Sequence, residues 1–567
     1  MSQIPAWTQS YQPGVAAEIE EPTESLAALA LKSAAEAKTL VATDFFGRTM
    51  TYEQLGDRII RAAEGLRKLG VRKGDRVAIV LPNCPQHIIA FYAALRLGAI
   101  VVEHNPLYTS RELRHMFEDH SARVAICWDV AVEKLQKLPV DIPLNTIVSV
   151  NMVHAFPRVK QWALKLPVPA LREMRDKLTT SVRGTVTWEK LLASDPLPKN
   201  YPNPDVSDVA VIQYTSGTTS QPKGAVLTHK NLYSNALQAQ QWLHGIETGK
   251  EVTYGVLPLF HAFGLTLVST LGVLIQSRLV LFPTFDVTMV LDAMKRVPCT
   301  VFGAVPPIFH AVASMSKTRH IPITSCRFNI SGAMSLPNET AELWEELSGW
   351  VVIEGYGMTE ASPVIAGNPP YEGRKIGTVG LPFPSTLVRV VELDDTSREV
   401  EQGQPGELLA KGPQVFSGYW NNPAETAYTV LDDGWIRTGD IVIQDEDGFI
   451  KVVDRVKDLI ITGGFNVSPT EVESVLRAHP AIEDLTVVGM DNPLGAETVV
   501  AAIVLQDGAD FDEEGLRRFC KERLAAYKVP RKFYPVTELP KSMLGKALRK
   551  EVRIQIEALN KAAEVAD

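Results

Sequence analysis

Cysteine is scarce and scattered. Cys84, Cys127, Cys299, Cys326 and Cys520 are odd in number and show no Cys-x-x-Cys spacing, which argues against a disulfide framework or a cysteine metal site and fits a reducing cytoplasm. Residues 1–24 hold no Lys or Arg, so no basic start leads into an apolar core and secretion is not expected. Positive charge is not in excess either. With 57 Lys and Arg against 66 Asp and Glu, the net charge is -9, which speaks against wholesale nucleic-acid binding. A long unbroken apolar run is also missing. The nearest stretch, residues 256–281, is interrupted by Pro258, His261, Gly264, Gln276 and Arg278, whereas a bilayer span needs about 20 largely apolar residues in a row. A buried helix followed by a strand is expected there.

What is present is an ordinary globular composition, 45% hydrophobic and 22% charged over 567 residues, too long for one core. Helix-like residues 52–69 and 86–97 alternate with strand-like residues 76–81 and 100–103. Such alternation predicts an α/β fold with a mostly parallel sheet. Between residues 151 and 187 the pattern breaks into a basic insertion, with Arg158, Lys160, Lys165, Arg172, Arg175, Lys177 and Arg183 among Phe156, Trp162, Leu164, Leu166 and Leu171. It reads either as a solvated insertion or as a surface for peripheral contact with an anionic membrane, and Pro157, Pro167 and Pro169 exclude one long helix. A β-rich stretch at 377–453 precedes Asp454-Arg455-Val456-Lys457-Asp458. Beyond it, Ser468-Pro469-Thr470-Glu471 predicts a helix start closed by a capping box. Strands at 485–488 and 499–505 and a helix at 513–524 complete a small α+β unit. The expected organisation is a large N-terminal domain of α/β layers with a β-rich subdomain (1–455), a short hinge, and a C-terminal domain (456–567).

Four segments carry chemistry. Tyr214-Thr215-Ser216-Gly217-Thr218-Thr219-Ser220-Gln221-Pro222-Lys223-Gly224 joins strand-like residues 209–213 to the apolar stretch 225–227. Glycines allow close backbone approach to phosphate, hydroxyls add donors and Lys223 adds charge, so the loop suits a nucleotide triphosphate. Lys223 is followed by Gly224 and a strand, so this is not the usual phosphate loop; a hydroxyl-rich hairpin without ligand is the plain alternative. Glu354-Gly355-Tyr356-Gly357-Met358-Thr359-Glu360 follows an apolar strand at 350–353 and sets a hydroxyl and a carboxylate at a sheet's carboxyl edge. There Glu360 could hold magnesium and Tyr356 could stack on a base; a structural turn is the alternative. Gly434-Trp435-Ile436-Arg437-Thr438-Gly439-Asp440 places Asp440 at the end of a strand, where a carboxylate can accept from ribose hydroxyls. Pro540-Lys541-Ser542-Met543-Leu544-Gly545-Lys546-Ala547-Leu548-Arg549-Lys550 presents Lys546 on a loop, alone no more than a basic turn.

Together, and in this order, the four segments resemble the adenylate-forming superfamily of acyl-CoA synthetases, beetle luciferases and nonribosomal adenylation domains, over about residues 52–550. The resemblance implies that Thr215, Ser216, Gly217, Thr218, Thr219 and Lys223 cradle the ATP phosphates, with Glu360 and Thr215 at the magnesium ion. It implies that Tyr356 packs near the adenine with Gly332 and Ala333 lining that pocket, and that Gly357 and Thr359 also bind the nucleotide. It further implies ribose contacts from Asp440 and Arg455, a hinge at Lys457, and Lys546 as the catalytic lysine of a mobile C-terminal domain. Two departures are Ser220 and Leu544, where the family often has Gly and Ser; neither replaces a charged or metal-binding group.

The implied reaction joins a carboxylate to ATP as an acyl-adenylate with release of pyrophosphate, then transfers the acyl group to coenzyme A. Rotation about Lys457 would bring Gly463-Gly464-Phe465 to the site for the second step. His261, in Leu257-Pro258-Leu259-Phe260-His261, is either a polar anchor beside the acyl carboxylate or a buried structural histidine. The apolar residues after it are either an acyl tunnel or core. The motif wording and the basic insertion look most like bacterial long-chain fatty acid ligases. Aryl or medium-chain acids, delivery of the adenylate to a carrier protein, and a nucleotide-binding sensor or membrane adaptor without catalysis are the competing readings. The expected partners are small molecules, with a homodimer and peripheral contact with the inner face of the cell membrane left open.

Overall fold

The computed structural model describes residues 5–215, 222–371, 373–462, 465–491, 497–542 and 545–566. The chain divides into two compact units, Met1–Leu387 with Ala410–Ile436, and Val388–Leu409 with Arg437–Asp567. The expected hinge residue Lys457 falls within the second.

In the first unit the expected alternation is observed as the strands Arg76–Val80 and Ile100–Glu103 between the helices Tyr52–Lys68 and Pro85–Arg96. The first helix starts where Thr51 and Gln54 form a capping box, which satisfies two backbone donors that would otherwise lack partners. Among the described residues one sheet has seven strands, in the order Val186–Thr187, Thr146–Val150, Val124–Trp128, Arg76–Val80, Ile100–Glu103, Val209–Thr215 and Lys223–Thr228. All are parallel except the last, which turns back on Val209–Thr215. A nine-stranded sheet has at its centre the parallel strands Val352–Gly357, Phe328–Ser331, Val301–Ala304, Val252–Gly255 and Arg278–Leu281. The fold class is α/β, as the alternation predicts.

The apolar stretch at 256–281 forms a buried helical segment, with a π-helical turn at Leu265–Leu271, followed by the strand Arg278–Leu281. No described helix is long and apolar enough to cross a membrane. Leu265, Leu267, Val268 and Leu271 are all buried. The basic insertion forms two short helices, Arg158–Ala163 and Pro169–Leu178, as its prolines require. Phe156 and Leu164 are buried, whereas Val159, Trp162, Leu166 and Met174 are exposed, Trp162 by 73%.

The second unit carries most of a four-stranded sheet, Leu387–Val391, Gly406–Lys411, Ile436–Gln444 and Ile450–Arg455. It also carries a three-stranded sheet, Ile482–Asp491, Glu497–Leu505 and Lys532–Pro535, packed with helices around Val472, Leu476, Leu485, Val487, Ile503, Leu516 and Phe533. Ser468 caps the helix Pro469–Arg477, accepting from the Glu471 amide at 3.1 Å. The expected box is not closed by Glu471. Its carboxylate instead takes the Lys528 ammonium at 2.7 Å, because an ammonium offers charge and a peptide N–H only a dipole.

Candidate active site

The described flanks of the phosphate loop lie at the carboxyl end of the strand Val209–Thr215, the edge where α/β sheets bind ligands. Thr215 and Lys223 are directly opposed across the hairpin, so the strand pairing brings hydroxyl and ammonium to one place. Ser216, Gly217, Thr218 and Thr219 lie outside the described residues, as does Ser220. Lys223 pairs with Glu425, and its Nζ stands 5.5 Å from the centre of the Tyr419 ring. The strand that enters the loop is also anchored, Tyr214 donating its hydroxyl to Asp119 at 2.6 Å. Behind it the buried rings of His104 and His120 meet Nε2 to Nε2 at 3.1 Å. Burial pushes the His104 imidazole down to about 3, so this pair is neutral.

The second motif differs in register from the expectation. The strand runs Val352–Gly357, so Tyr356 and Gly357 belong to the strand rather than to a turn after it, and Thr359 and Glu360 sit in the short turn Thr359–Ala361. Gly357 is required there, since a Cβ would lie 1.9 Å from the Pro363 carbonyl oxygen. Glu360 is 7% exposed and accepts a 2.6 Å hydrogen bond from the Tyr419 hydroxyl. Among the described residues no group of three or more His, Cys, Asp or Glu converges as a metal cage. A single carboxylate with nearby hydroxyls fits magnesium, which takes one or two carboxylates and completes its shell with phosphate oxygens and water. Burial raises the neighbouring Glu354 carboxyl to about 7, while its Oε1 accepts from the Leu336 amide at 3.2 Å.

The segment that leads to His261 leaves a strand of the nine-stranded sheet and is held by side chains on or just after strands of the seven-stranded one. Asn83 donates to the Gly255 and Leu257 carbonyls at 3.0 and 2.7 Å and accepts from the Leu259 amide at 2.8 Å, while Gln213 donates to the Phe260 carbonyl at 2.9 Å. The His261 Nδ1 accepts from the Phe263 amide at 3.4 Å, which leaves the proton on Nε2. Burial pushes this imidazole down to about 4, so it is a neutral donor. Phe263 packs on Gly332, where an added Cβ would be 3.0 Å from the ring. Ala333 is exposed and left-handed, with φ 70°. Through Phe263 the segment carrying His261 therefore meets Gly332.

The other predicted residues belong to the second unit. Asp440 does not end a strand. It lies inside Ile436–Gln444, opposite Arg455 of the neighbouring strand, because the strand continues through the apolar residues Ile441 to Ile443. The pairing brings the two proposed ribose ligands together at 2.9 Å. Lys546 stands on a tight loop in which Ser542 N donates to the Lys546 carbonyl and Gly545 N to the Ser542 carbonyl, both at 2.8 Å; Leu544 is outside the described residues. Crowding by surrounding protein, then the Arg455 charge, holds the Lys546 ammonium below its ordinary range, though the side chain remains exposed. Arg549 binds Asp458 at 2.6 Å and Glu473 at 3.0 Å, tying this loop to the turn Val456–Asp458, where Lys457 is exposed. Gly463 and Gly464 are outside the described residues.

Tyr419, Glu425, Asp119 and Arg549 are site residues that sequence reasoning missed. Only the turn-forming run Asn421-Asn422-Pro423 after Tyr419 hinted that this segment stops and changes direction.

Two separate stretches of the chain match family models. Residues 31–420 match the AMP-binding enzyme family, and residues 471–546 match the AMP-binding enzyme C-terminal domain. The chain is 35% identical to a long-chain-fatty-acid--CoA ligase of Bacillus subtilis (strain 168), over 96% of this chain and 97% of that protein. It is 33% identical to 4-coumarate--CoA ligase 2 of Oryza sativa subsp. japonica, over 90% and 88%. Among solved structures, ATP-bound MatB from Rhodopseudomonas palustris superposes with a TM-score of 0.80 at 28% identity, covering 93% of this chain and 98% of that one. The chain belongs to the AMP-binding enzyme family, the adenylate-forming enzymes that its motifs resemble.

Proposed function

We propose that this protein is an AMP-forming ligase that activates a long-chain fatty acid with ATP and passes it to coenzyme A. The observation that carries the reading is similarity along nearly the whole chain to a protein named for that reaction, joined to a site that offers an ammonium, a hydroxyl and a buried carboxylate.

In the first step an oxygen of the acid attacks the α-phosphorus, the bond to the bridging oxygen breaks, and pyrophosphate leaves with its electron pair. Both reactants are anions, and two unit charges at 4 Å repel by about 4 kcal/mol at an effective dielectric of 20. Lys223 at the loop and Lys546 from the second unit offset that repulsion where charge develops. Glu360, with Thr215 as a second oxygen donor, would hold magnesium, which when bound would supply charge neutralisation at the phosphates. The neutral Nε2–H of His261 orients the acid carboxylate without trapping it as an ion pair. Tyr356 with Gly332 and Ala333 holds the adenine, Gly357 and Thr359 also bind the nucleotide, and Asp440 with Arg455 holds the ribose. In the second step the coenzyme A thiol attacks the acyl carbonyl, AMP leaves, and the domain beginning at Val456 turns about Lys457 to admit the thiol.

Exchange of labelled pyrophosphate into ATP, measured with acids of graded chain length and with coumarate and benzoate, tests this reading. Stimulation rising with chain length is expected; stimulation by aryl acids alone would reassign the substrate, and no stimulation by any acid would remove the enzyme. The reading extends to peripheral membrane contact through the insertion, supported by its exposed Trp162 and Met174 among basic residues. Trp162→Ser is then expected to lower co-sedimentation with anionic vesicles, and unchanged binding would reduce the segment to a plain insertion. Removing residues 152–183 is a poor test, because Met152 and Phe156 belong to the core.

A further inference from the structure

Residues 416–425 touch Glu360, Lys223 and the strand that leaves the loop. By backbone, Phe416 N donates to the Glu360 carbonyl at 2.8 Å, Val226 N donates to the Gly418 carbonyl at 3.1 Å, and Trp420 N donates to the Gly224 carbonyl at 2.7 Å. The segment thus runs as an added edge beside the strand leaving the phosphate loop, with Ala225 opposite Tyr419. The side chains repeat the pattern. Trp420 Nε1 and Asn421 Nδ2 donate to the Asp119 carbonyl at 3.3 and 3.0 Å, and Asp119 accepts from Tyr214 on the strand entering the loop. Tyr419 gives its hydroxyl to Glu360 and its ring face to Lys223, while Glu425 takes the Lys223 ammonium.

We propose, resting on the ATP-dependent reading above, that Glu425 is a stand-in anion for the triphosphate, and that Tyr419 is the positioning residue linking its displacement to Glu360. Lys223 keeps only 12% of its side chain exposed, and an ammonium so enclosed needs a counter-charge when no phosphate is present. Glu425, at 25% exposure, supplies it from the first turn of the helix Pro423–Thr429, whose start is fixed by the Asn422 side chain. A triphosphate carries more charge than one carboxylate and displaces it, but the ion pair must open first. Glu425 is then left beside an arriving anion, so the pair lowers nucleotide affinity. Tyr419 senses both events, since its ring covers Lys223 and its hydroxyl orients the carboxylate that would hold the metal.

The experiment is calorimetric titration of ATP into the full chain, without magnesium and then across a magnesium series. Glu425→Gln keeps the shape and removes the charge, and its Kd for metal-free ATP is expected to fall threefold to tenfold. An equal or weaker Kd overturns the stand-in role. The gain must vanish in a Lys223→Gln background; persistence there would mean that the change is structural, and would also overturn the proposal. Glu425→Asp, with its charge on a shorter arm, gives an intermediate Kd and serves if the Gln variant fails to fold. For Tyr419→Phe, metal-free affinity stays within twofold, while the magnesium concentration that half-saturates the tight ATP complex rises severalfold. An unmoved magnesium midpoint overturns the link to Glu360. If the wild-type chain binds no ATP, the functional reading fails first, which separates the two failures.

Discussion

The two units hold their charged residues by opposite means. In the first, Lys223, Glu360, Tyr419 and Glu425 come from distant parts of the chain and are joined by a segment that reaches back about 200 residues, from Glu425 to Lys223. In the second, Asp440 and Arg455 are partners on neighbouring antiparallel strands, and Lys546 and Arg549 share one loop and helix start. The first arrangement depends on long-range packing and the second on local pairing. Damage to the packing of the first unit should therefore degrade fold and site together, whereas the second should lose chemistry while keeping its fold.

The largest effect expected is from Lys546→Ala. Removing a preorganised charge from a developing transition state costs on the order of a hundredfold to a thousandfold in rate. Adenylate formation should fall by that much, while thioester formation from supplied acyl-adenylate and the melting temperature stay near wild type. Equal loss in both half-reactions would contradict the domain rotation, and a melting shift would contradict the local character of the second unit. Next is Gly357→Ala in the first unit. A methyl group directed at a backbone carbonyl cannot be absorbed by a side-chain rotation, and overpacking of this kind costs about 1–3 kcal/mol. Calorimetry should show the first unit melting earlier with Glu360 displaced, seen as loss of ATP binding; unaltered melting would mean that the strand has room.

The smallest effect per group is acid sensitivity, which should differ between units. Only His479 of the 11 histidines lies in the second. In the first, burial lowers His104 from 6.5 to about 3, His229 from 6.5 to about 4 and His261 from 6.5 to about 4, and holds His120 well below its usual range. A depressed folded pKa means that the unfolded chain takes the proton first. Stability is therefore complete above about 6.5 and is lost as pH falls towards 4, by up to about 1.4 kcal/mol per group and pH unit. Burial raises Asp129 to about 6 and Glu354 to about 7, and the hydrogen bond to Glu189 raises His154; these three act in reverse, stabilising as pH falls, so four lowered histidines oppose three raised groups. The first unit should lose stability between pH 6.5 and 4.5 faster than the second, as followed by hydrogen exchange; the reverse order would assign the acid sensitivity elsewhere.

The same contrast explains what was legible in the sequence. Periodicity predicted Tyr52–Lys68, Pro85–Arg96 and Val209–Thr215 to within a residue or two, because that signal is local. The motif residues could be named because hydroxyls, glycines and charges are unusual in runs. Glu471 was misread since the competing cation, Lys528, lies 57 residues on. Asp440 was misplaced because a Gly before it suggested a turn, whereas Gly439, at φ 70°, sits within the strand. Tyr419 and Glu425 escaped notice for a stronger reason. Nothing in the residues 416–425 says that this stretch returns to the loop at 215–223; only tertiary packing does.

Arg549 has a mechanical corollary. With one guanidinium nitrogen on Asp458 and the other on Glu473, the lysine loop is tied to the residues after Lys457, so in the proposed rotation the two would travel together and the fulcrum would not lie beyond Asp458. Asp454, just before the fulcrum, is gripped by the Ser468 hydroxyl and the Thr470 amide. In the proposed rotation about Lys457, those two bonds, with the Arg549 guanidinium 3.9 Å from Asp454, would be among the links that have to open.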